Sequence, residues 1–369
     1  MSTTNFSIVL RNYAGTKYAE VVEYHNLSYT KRVNAPGLLQ FDLKLAHPAV
    51  ASLTDKDQVE VRRRNASMGV SRYVDFYGLV RAVNRSYTDH DMVHIVAPGQ
   101  ACMLGWRSVA WYAGYANRSI FTTAKAETIM NTIVSYNCCA AATTGNGRER
   151  DGAITGLSVE ADGAAGNTLD WACHGKNVLS DLQDLAKVGG GDFALVKTGA
   201  QTWQYRFYEG QLGTDRSATV IFSLSNSNMA NPLYTFDRID EKTVAVVGGQ
   251  GEGSDRAYVI RTGADYNAST NNIEGFVNAS GQWSTTAGYQ VAGDKWLDEQ
   301  QARSTFKFDV LQTPACFYGQ VASGGHYDMG DLALARYGDN EYTVKITGVT
   351  VNVPDPGENE DIKLEMENV

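Results

Sequence analysis

Apolar and polar residues alternate along several short stretches near the N-terminus. Leu39, Phe41, Leu43 and Leu45 share one face of a strand, with Gln40, Asp42 and Lys44 on the other. Val59 and Val61 alternate in the same way with Glu60 and Arg62. Phe6–Leu10, Lys17–Val22, Tyr73–Val83 and Met92–Val96 have the β-branched and aromatic texture of strands. Asn34-Ala35-Pro36-Gly37 and the polar run Thr88-Asp89-His90-Asp91 mark turns. About six or seven short strands without intervening helices predict a small barrel or sandwich over residues 5–97.

After Pro98-Gly99 the period changes. Gln100–Val109 predicts a short helix and Ala124–Tyr136 a longer one. On the longer helix Ala126, Ile129, Met130, Ile133 and Val134 form one apolar stripe, and Thr122 or Thr123 would cap its start. The polar stretch 143–152 predicts an exposed loop. A further helix over Asn177–Lys187 turns Val178, Leu179, Leu182, Leu185 and Ala186 inward and stops at Gly189-Gly190-Gly191, because glycine takes the left-handed C-cap at little cost. Phe193–Val196 and Trp203–Tyr208 predict a hairpin, and Ala218–Phe222 another strand.

From about Pro232 the chain returns to strands. Thr243–Val247 is an apolar β-branched run, followed by Gly248-Gly249-Gln250-Gly251-Glu252-Gly253 and then Arg256–Arg261. A dinucleotide fingerprint needs a helix after its glycines, and a Walker loop needs Gly-Lys-Ser/Thr. Neither follows, so a strand–turn–strand hairpin is expected. A helix over Asp294–Ala302 and strands over Thr305–Val310, Leu332–Arg336, Glu341–Val351 and Asp361–Met366 complete the chain, with Asp355-Pro356-Gly357-Glu358 as an acidic turn. The order is β, then α+β, then β.

At 369 residues the chain exceeds what one core usually organises, so two to four sub-domains are expected. Its 43% apolar and 20% charged content is that of a globular protein, and 36 glycines with 20 tyrosines favour β structure. No apolar stretch reaches membrane-spanning length, and Met1–Phe6 lacks the basic and apolar segments of a signal peptide. Cys102, Cys138, Cys139, Cys173 and Cys316 are odd in number and lie among apolar neighbours, which predicts buried free thiols. A net charge of −9 opposes a general nucleic-acid surface and suits one that DNA passes without adhering.

Several constellations invite a chemical reading. His90, Met92 and His94 fall on one strand face beside Asp89 and Asp91, but no further His or Cys pair completes a metal shell, and a polar hairpin tip is expected. Ser323, His326 and Asp328 are too close in sequence for a triad assembled from separate segments. Asp181, Asp184 and Lys187 read as solvated charges on an outer helix face. Arg62-Arg63-Arg64 is the only basic run and would meet an acidic partner surface. Trp106–Tyr115, with Trp111 and Tyr112, would line a sugar site or, with more support, belong to the core or a subunit contact. No catalytic, cofactor-binding or metal-binding residue is therefore assigned.

The glycine hairpin, V-V-G-G-Q-G-E-G-S-D-R, resembles a segment of the short, non-enzymatic hub proteins at the tail tip of long-tailed siphophages. Four further segments resemble the same family: Gln58–Val61 with Phe76–Val80, Asn177–Leu182 through Gly191, Gly213–Ser217 through Ser223, and His326–Ala333. Together they cover nearly the whole chain in order. The resemblance implies a β-rich α+β, baseplate-hub-like fold: a first β-barrel over 1–99, an α+β middle over 100–231, and a second barrel over 232–369 with an inserted loop at about 263–293. It implies a homotrimer whose six barrels form a pseudo-sixfold ring continuing the tail tube. The implied partners are the distal tail ring, the tape-measure protein and a fibre or receptor-binding protein, with DNA passing unbound through the lumen. Location in the virion tail, after assembly in the host cytoplasm, goes with this. Unlike longer relatives, the chain is expected to carry no appended peptidase, lysozyme or fibre. A carbohydrate-binding module using Trp106, Trp111 and Tyr112, and a hydrolase using His326 and Asp328, are the alternatives.

Overall fold

The computed structural model describes residues 5–86, 91–112, 118–280 and 285–369. The first section holds β1 (Phe6–Arg11), β2 (Lys17–Val21), β3 (His25–Arg32), β4 (Ala35–Lys44), β5 (Gln58–Asn65), β6 (Val70–Leu79), β7 (Ala82–Ser86) and β8 (Met92–Pro98). The middle holds β9 (Ser119–Lys125), α1 (Ala126–Cys138), β10 (Leu157–Val159), β11 (Thr168–Cys173), α2 (Val178–Gly189), β12 (Gly191–Gly199) and β13 (Thr202–Glu209). Then come β14 (Ile221–Ser223), β15 (Met229–Asp237), β16 (Val244–Gly248), β17 (Tyr258–Thr262), β18 (Glu274–Asn278), α3 (Thr286–Gln300), β19 (Arg303–Val310), β20 (Leu332–Tyr337), β21 (Asn340–Val353) and β22 (Asp361–Asn368).

Local pattern accounts for most of these elements. Leu39, Phe41 and Leu43 of β4 are fully buried while Gln40 and Asp42 are not, as their alternation requires. The expected hairpins form as β12–β13 and β16–β17, the latter turning through the glycine run. Only a 3-10 turn, Gly253–Asp255, and no α-helix follows those glycines. Instead β18 returns parallel to β16. Asn177 caps α2 by accepting from the Ser180 N–H, and Gly190 at φ 71° ends it.

Boundaries shift where pairing overrides propensity. Ladder bonds to β11 carry β9 as far as Lys125, so α1 starts at Ala126 and the expected caps Thr122 and Thr123 lie in the strand. Gln100–Trp106 is a 3-10 turn, and α3 begins at Thr286, capped by Thr285, well before the expected Asp294. Among the described residues no helix is long and apolar enough to cross a membrane.

The chain ends meet. One sheet has the order β14-β20-β21-β3-β4-β8-β7, with β22 also on β21; a second has the order β2-β1-β5-β6. β20 pairs with the first half of β21 and β3 with the second, Gly348–Val353 against Leu27–Arg32. Strands from 1–99 and from 232–369 therefore share one sheet, and Phe6, Tyr29, Phe41 and Val59 pack in one core with Tyr327, Ile346 and Val351. Among the described residues every sheet has an open strand order, and none closes into a barrel.

The second core belongs to the middle section and to a unit inserted between β15 and β19. Those two strands form a two-stranded ribbon. The inserted unit is the sheet β17-β16-β18 with α3 on one face, and its Ala245, Val247, Tyr289 and Leu297 join Met130, Leu182 and Trp203 of the middle. Close approach here depends on glycine. A Cβ on Gly249 would lie 2.3 Å from the Tyr289 ring, and one on Gly99 would lie 1.6 Å from the Pro36 carbonyl oxygen.

Candidate functional site

Burial of charge marks the seam between the two ends of the chain. Lys31 on β3 donates to Asp75 Oδ1 at 2.9 Å, to Asp328 Oδ1 at 2.6 Å and to the Tyr318 hydroxyl at 3.0 Å. Tyr29 and Tyr318 donate to the two oxygens of Asp75 at 2.6 and 2.7 Å. Burial opposes the Lys31 charge, but Asp328 and Asp75 outweigh it and raise its pKa. Burial also opposes the Asp75 charge, which Lys31, Arg63 and the two phenols hold below the ordinary carboxylate range.

A second clamp lies beside the first. Arg63 is almost fully buried and grips Glu360 with two bonds of 2.7 and 2.6 Å, donates to the Tyr318 carbonyl, and lies 4.9 Å from that ring's centre. Such forked pairs fix orientation as well as adding energy. For two members of the arginine run the expected role is corrected: the acidic group met by Arg63 lies in its own chain and Arg62 pairs with Glu60, while Arg64 is exposed.

The other sequence candidates disperse. Asp328 belongs to the Lys31 clamp, Ser323 Oγ pairs with Gln320, and His326 packs its ring edge-on against Phe317. These three groups do not converge. His94 bonds to Asp42 across the β4–β8 pair at 2.6 Å, and His90 lies outside the described residues. Trp111 is buried, stacked on Tyr136 at 4.4 Å, with its indole N–H on the Asn146 carbonyl. Trp106 carries the Arg81 guanidinium over its ring, and Tyr112 is half-buried. Residues 113–115 of that stretch lie outside the described residues.

Asp181 is not solvated, contrary to expectation, and Asp184 is half-buried among lysines. Asp181 is buried and accepts from the Trp171 indole N–H at 3.4 Å. Burial pushes its pKa up to about 6, against the opposing pull of Lys176. Asp184 holds Lys176 and, at 3.2 Å, Lys295 of α3. The signal was present: residues 178, 181, 182 and 185 form one helical stripe, so Asp181 sits within the apolar face.

Sequence patterning also missed an exposed apolar face. On β17 and β18, away from α3, Tyr258, Ile260 and Phe276 are each more than half exposed. Arg256 covers the Tyr258 and Phe276 rings at 5.9 and 5.3 Å. Leu233 and Phe236 on the β15 ribbon are similarly exposed, and Ile239 just beyond it is 88% exposed. Both edge strands of the inserted sheet lack a further strand partner among the described residues. Apolar surface concentrated in this way marks a contact face.

No curated protein sequence matches the chain. Among solved structures, the 43 kDa tail protein of prophage MuSo2 from Shewanella oneidensis is similar at TM-score 0.57 and 13% identity, over 98% of each chain. Prophage tail protein gp18 from Listeria monocytogenes gives TM-score 0.57 at 11% identity, over 97% of this chain and 94% of that one. A chain of the lidded Francisella PdpA-VgrG complex gives 0.52 at 8% identity, over 98% of this chain and 52% of that one. At these identities the likeness establishes a shared, strongly β-rich fold. A family profile matches residues 8–365, and the chain belongs to the Siphovirus ReqiPepy6 Gp37-like protein family.

Proposed function

We propose that this protein is the structural hub of a siphophage tail tip, three copies forming a ring that continues the tail tube. The observation that carries the reading is the pairing of β3 with β21, which sets strand groups from the two chain ends side by side in one sheet. Each group serves as one barrel-like unit, the first built on β1–β8 and the second on β14, β15 and β19–β22. Three chains then supply six units around a channel, joined above to the distal tail ring and below to a fibre or receptor-binding protein. The tape-measure protein and then DNA pass through without specific binding.

The role is structural rather than catalytic. Whole-chain likeness to prophage tail proteins supports it, as does the dispersal of the Ser323, His326 and Asp328 groups. Closed rotational assembly accounts for apolar faces and open sheet edges that one chain leaves uncovered. We assign Tyr258, Ile260 and Phe276 to the contact with a second copy.

Sedimentation of the full chain, alone and with a distal tail ring, tests this against three times the 40.2 kDa chain mass. Electron microscopy of the complex would show threefold density around an open bore. Ile260→Asp with Phe276→Asp should leave single, folded chains. A chain that stays single with the ring present, or a tail whose tip lacks this protein, overturns the reading.

A further inference from the structure

A cavity of about 200 Å³ opens where β11, α2, β18 and α3 meet. Its floor is the buried Trp171, whose indole is fixed by the hydrogen bond to Asp181. One wall is Trp296, which lies so close to β18 that a Cβ on Gly275 would come within 2.1 Å of the ring. Ala172, Ala279 and Ala292 complete an apolar side.

The opposite side is charged but balanced. Lys176 and Lys295 both bind Asp184, while Lys187 reaches Asp184 at 3.5 Å and Glu299 at 3.4 Å. His174 stands exposed at the mouth, while Asn278 at its edge has its amide oxygen held by Arg256 and Ser280. A charged ligand would have to displace one of these ion pairs, and a wholly apolar one would strip water from them without replacement. A ligand with one C–H face and several hydroxyls meets both sides, stacking on indole and exchanging hydrogen bonds with carboxylate and ammonium.

We propose that this cavity binds a neutral pyranose residue of a glycan. Trp296 stacks on the sugar ring, Glu299 receives hydroxyls at the mouth, and Asp181 is a positioning residue that acts through Trp171. The site lies within one chain and does not depend on ring formation. Among the described residues, none of Trp106–Tyr112 lines it.

The test follows indole N–H resonances of the full chain during titration with methyl glycosides of glucose, galactose, N-acetylglucosamine and rhamnose, up to tens of millimolar. The Trp171 and Trp296 signals should move saturably with at least one sugar, the latter being assigned by its loss in Trp296→Phe. Glu299→Gln, read on the Trp296 signal, should weaken binding by about tenfold with unchanged thermal stability. Trp296→Ala, read on the Trp171 signal, should abolish it. No shift with any of the four sugars, or undiminished affinity in both variants, overturns the proposal. Failure to form a trimer leaves it standing, because binding is read on the single chain.

Discussion

Asp181→Asn should stabilise this protein at neutral pH. Burial beneath Trp171 lifts the carboxyl from an ordinary 3.8 to about 6. Two pKa units correspond to about 3 kcal/mol between the protonated and ionised forms. The folded pKa lies above the unfolded one, so the favourable contribution is complete below pH ~4 and is lost as pH rises through ~6. Asparagine keeps an acceptor for the indole N–H and carries no charge to desolvate. The variant should match the wild type near pH 4 and exceed it by about 1–3 kcal/mol at pH 7.5. Thermal unfolding of both proteins at pH 4.0, 5.5 and 7.5 reads the difference, with the other carboxylates cancelling between them. A variant whose deficit grows as pH rises from 4.0 to 7.5 would refute the reasoning, because the ionised carboxylate would then be supplying net stabilisation through Lys176.

Three further outcomes follow from the packing. Glu360→Gln breaks the fork on buried Arg63 and should cost about 3–5 kcal/mol, whereas replacing both residues by methionine should recover most of it; equal unfolding midpoints for the single and double variants would contradict this. Gly99→Ala drives a Cβ into the Pro36 carbonyl and should lower the unfolding midpoint by at least several degrees, measured by calorimetry. Burial pushes the thiols of Cys102 and Cys138 up to about 12. A thiol-specific chromophore at pH 8 should therefore label the native protein slowly, and all five cysteines only once denaturant is added.

Much of the local structure was legible in the chain. The alternation in β4, the stripe on α2, its glycine stop and the glycine hairpin are patterns completed within a few residues, where backbone sterics and side-chain period decide the outcome. The functional surfaces were less legible because their meaning depends on distant partners. Arg63 reads as part of a basic surface run until Glu360, 297 residues away, is placed against it. Asp328 suggests chemistry until Lys31 claims it. Tyr258 and Ile260 read as ordinary strand residues and Phe276 as part of an inserted loop, since period alone does not say which face of a thin sheet a helix covers.

By itself the sequence determined the strand-rich texture, the helices α1 and α2 and the buried alternation of β4, but neither β3 nor β18. It also determined a chain whose charge and cysteines suit neither nucleic-acid binding nor a disulfide framework. Only the tertiary structure decided that β3 and β21 join the chain ends into one sheet over one core, that the unit between β15 and β19 packs on the middle section, and that buried ion pairs lock the seam. Ladder hydrogen bonds are the same for any partner strand, so sequence pattern fixes which residues seek pairing. The summed packing of the whole chain selects which strands they find.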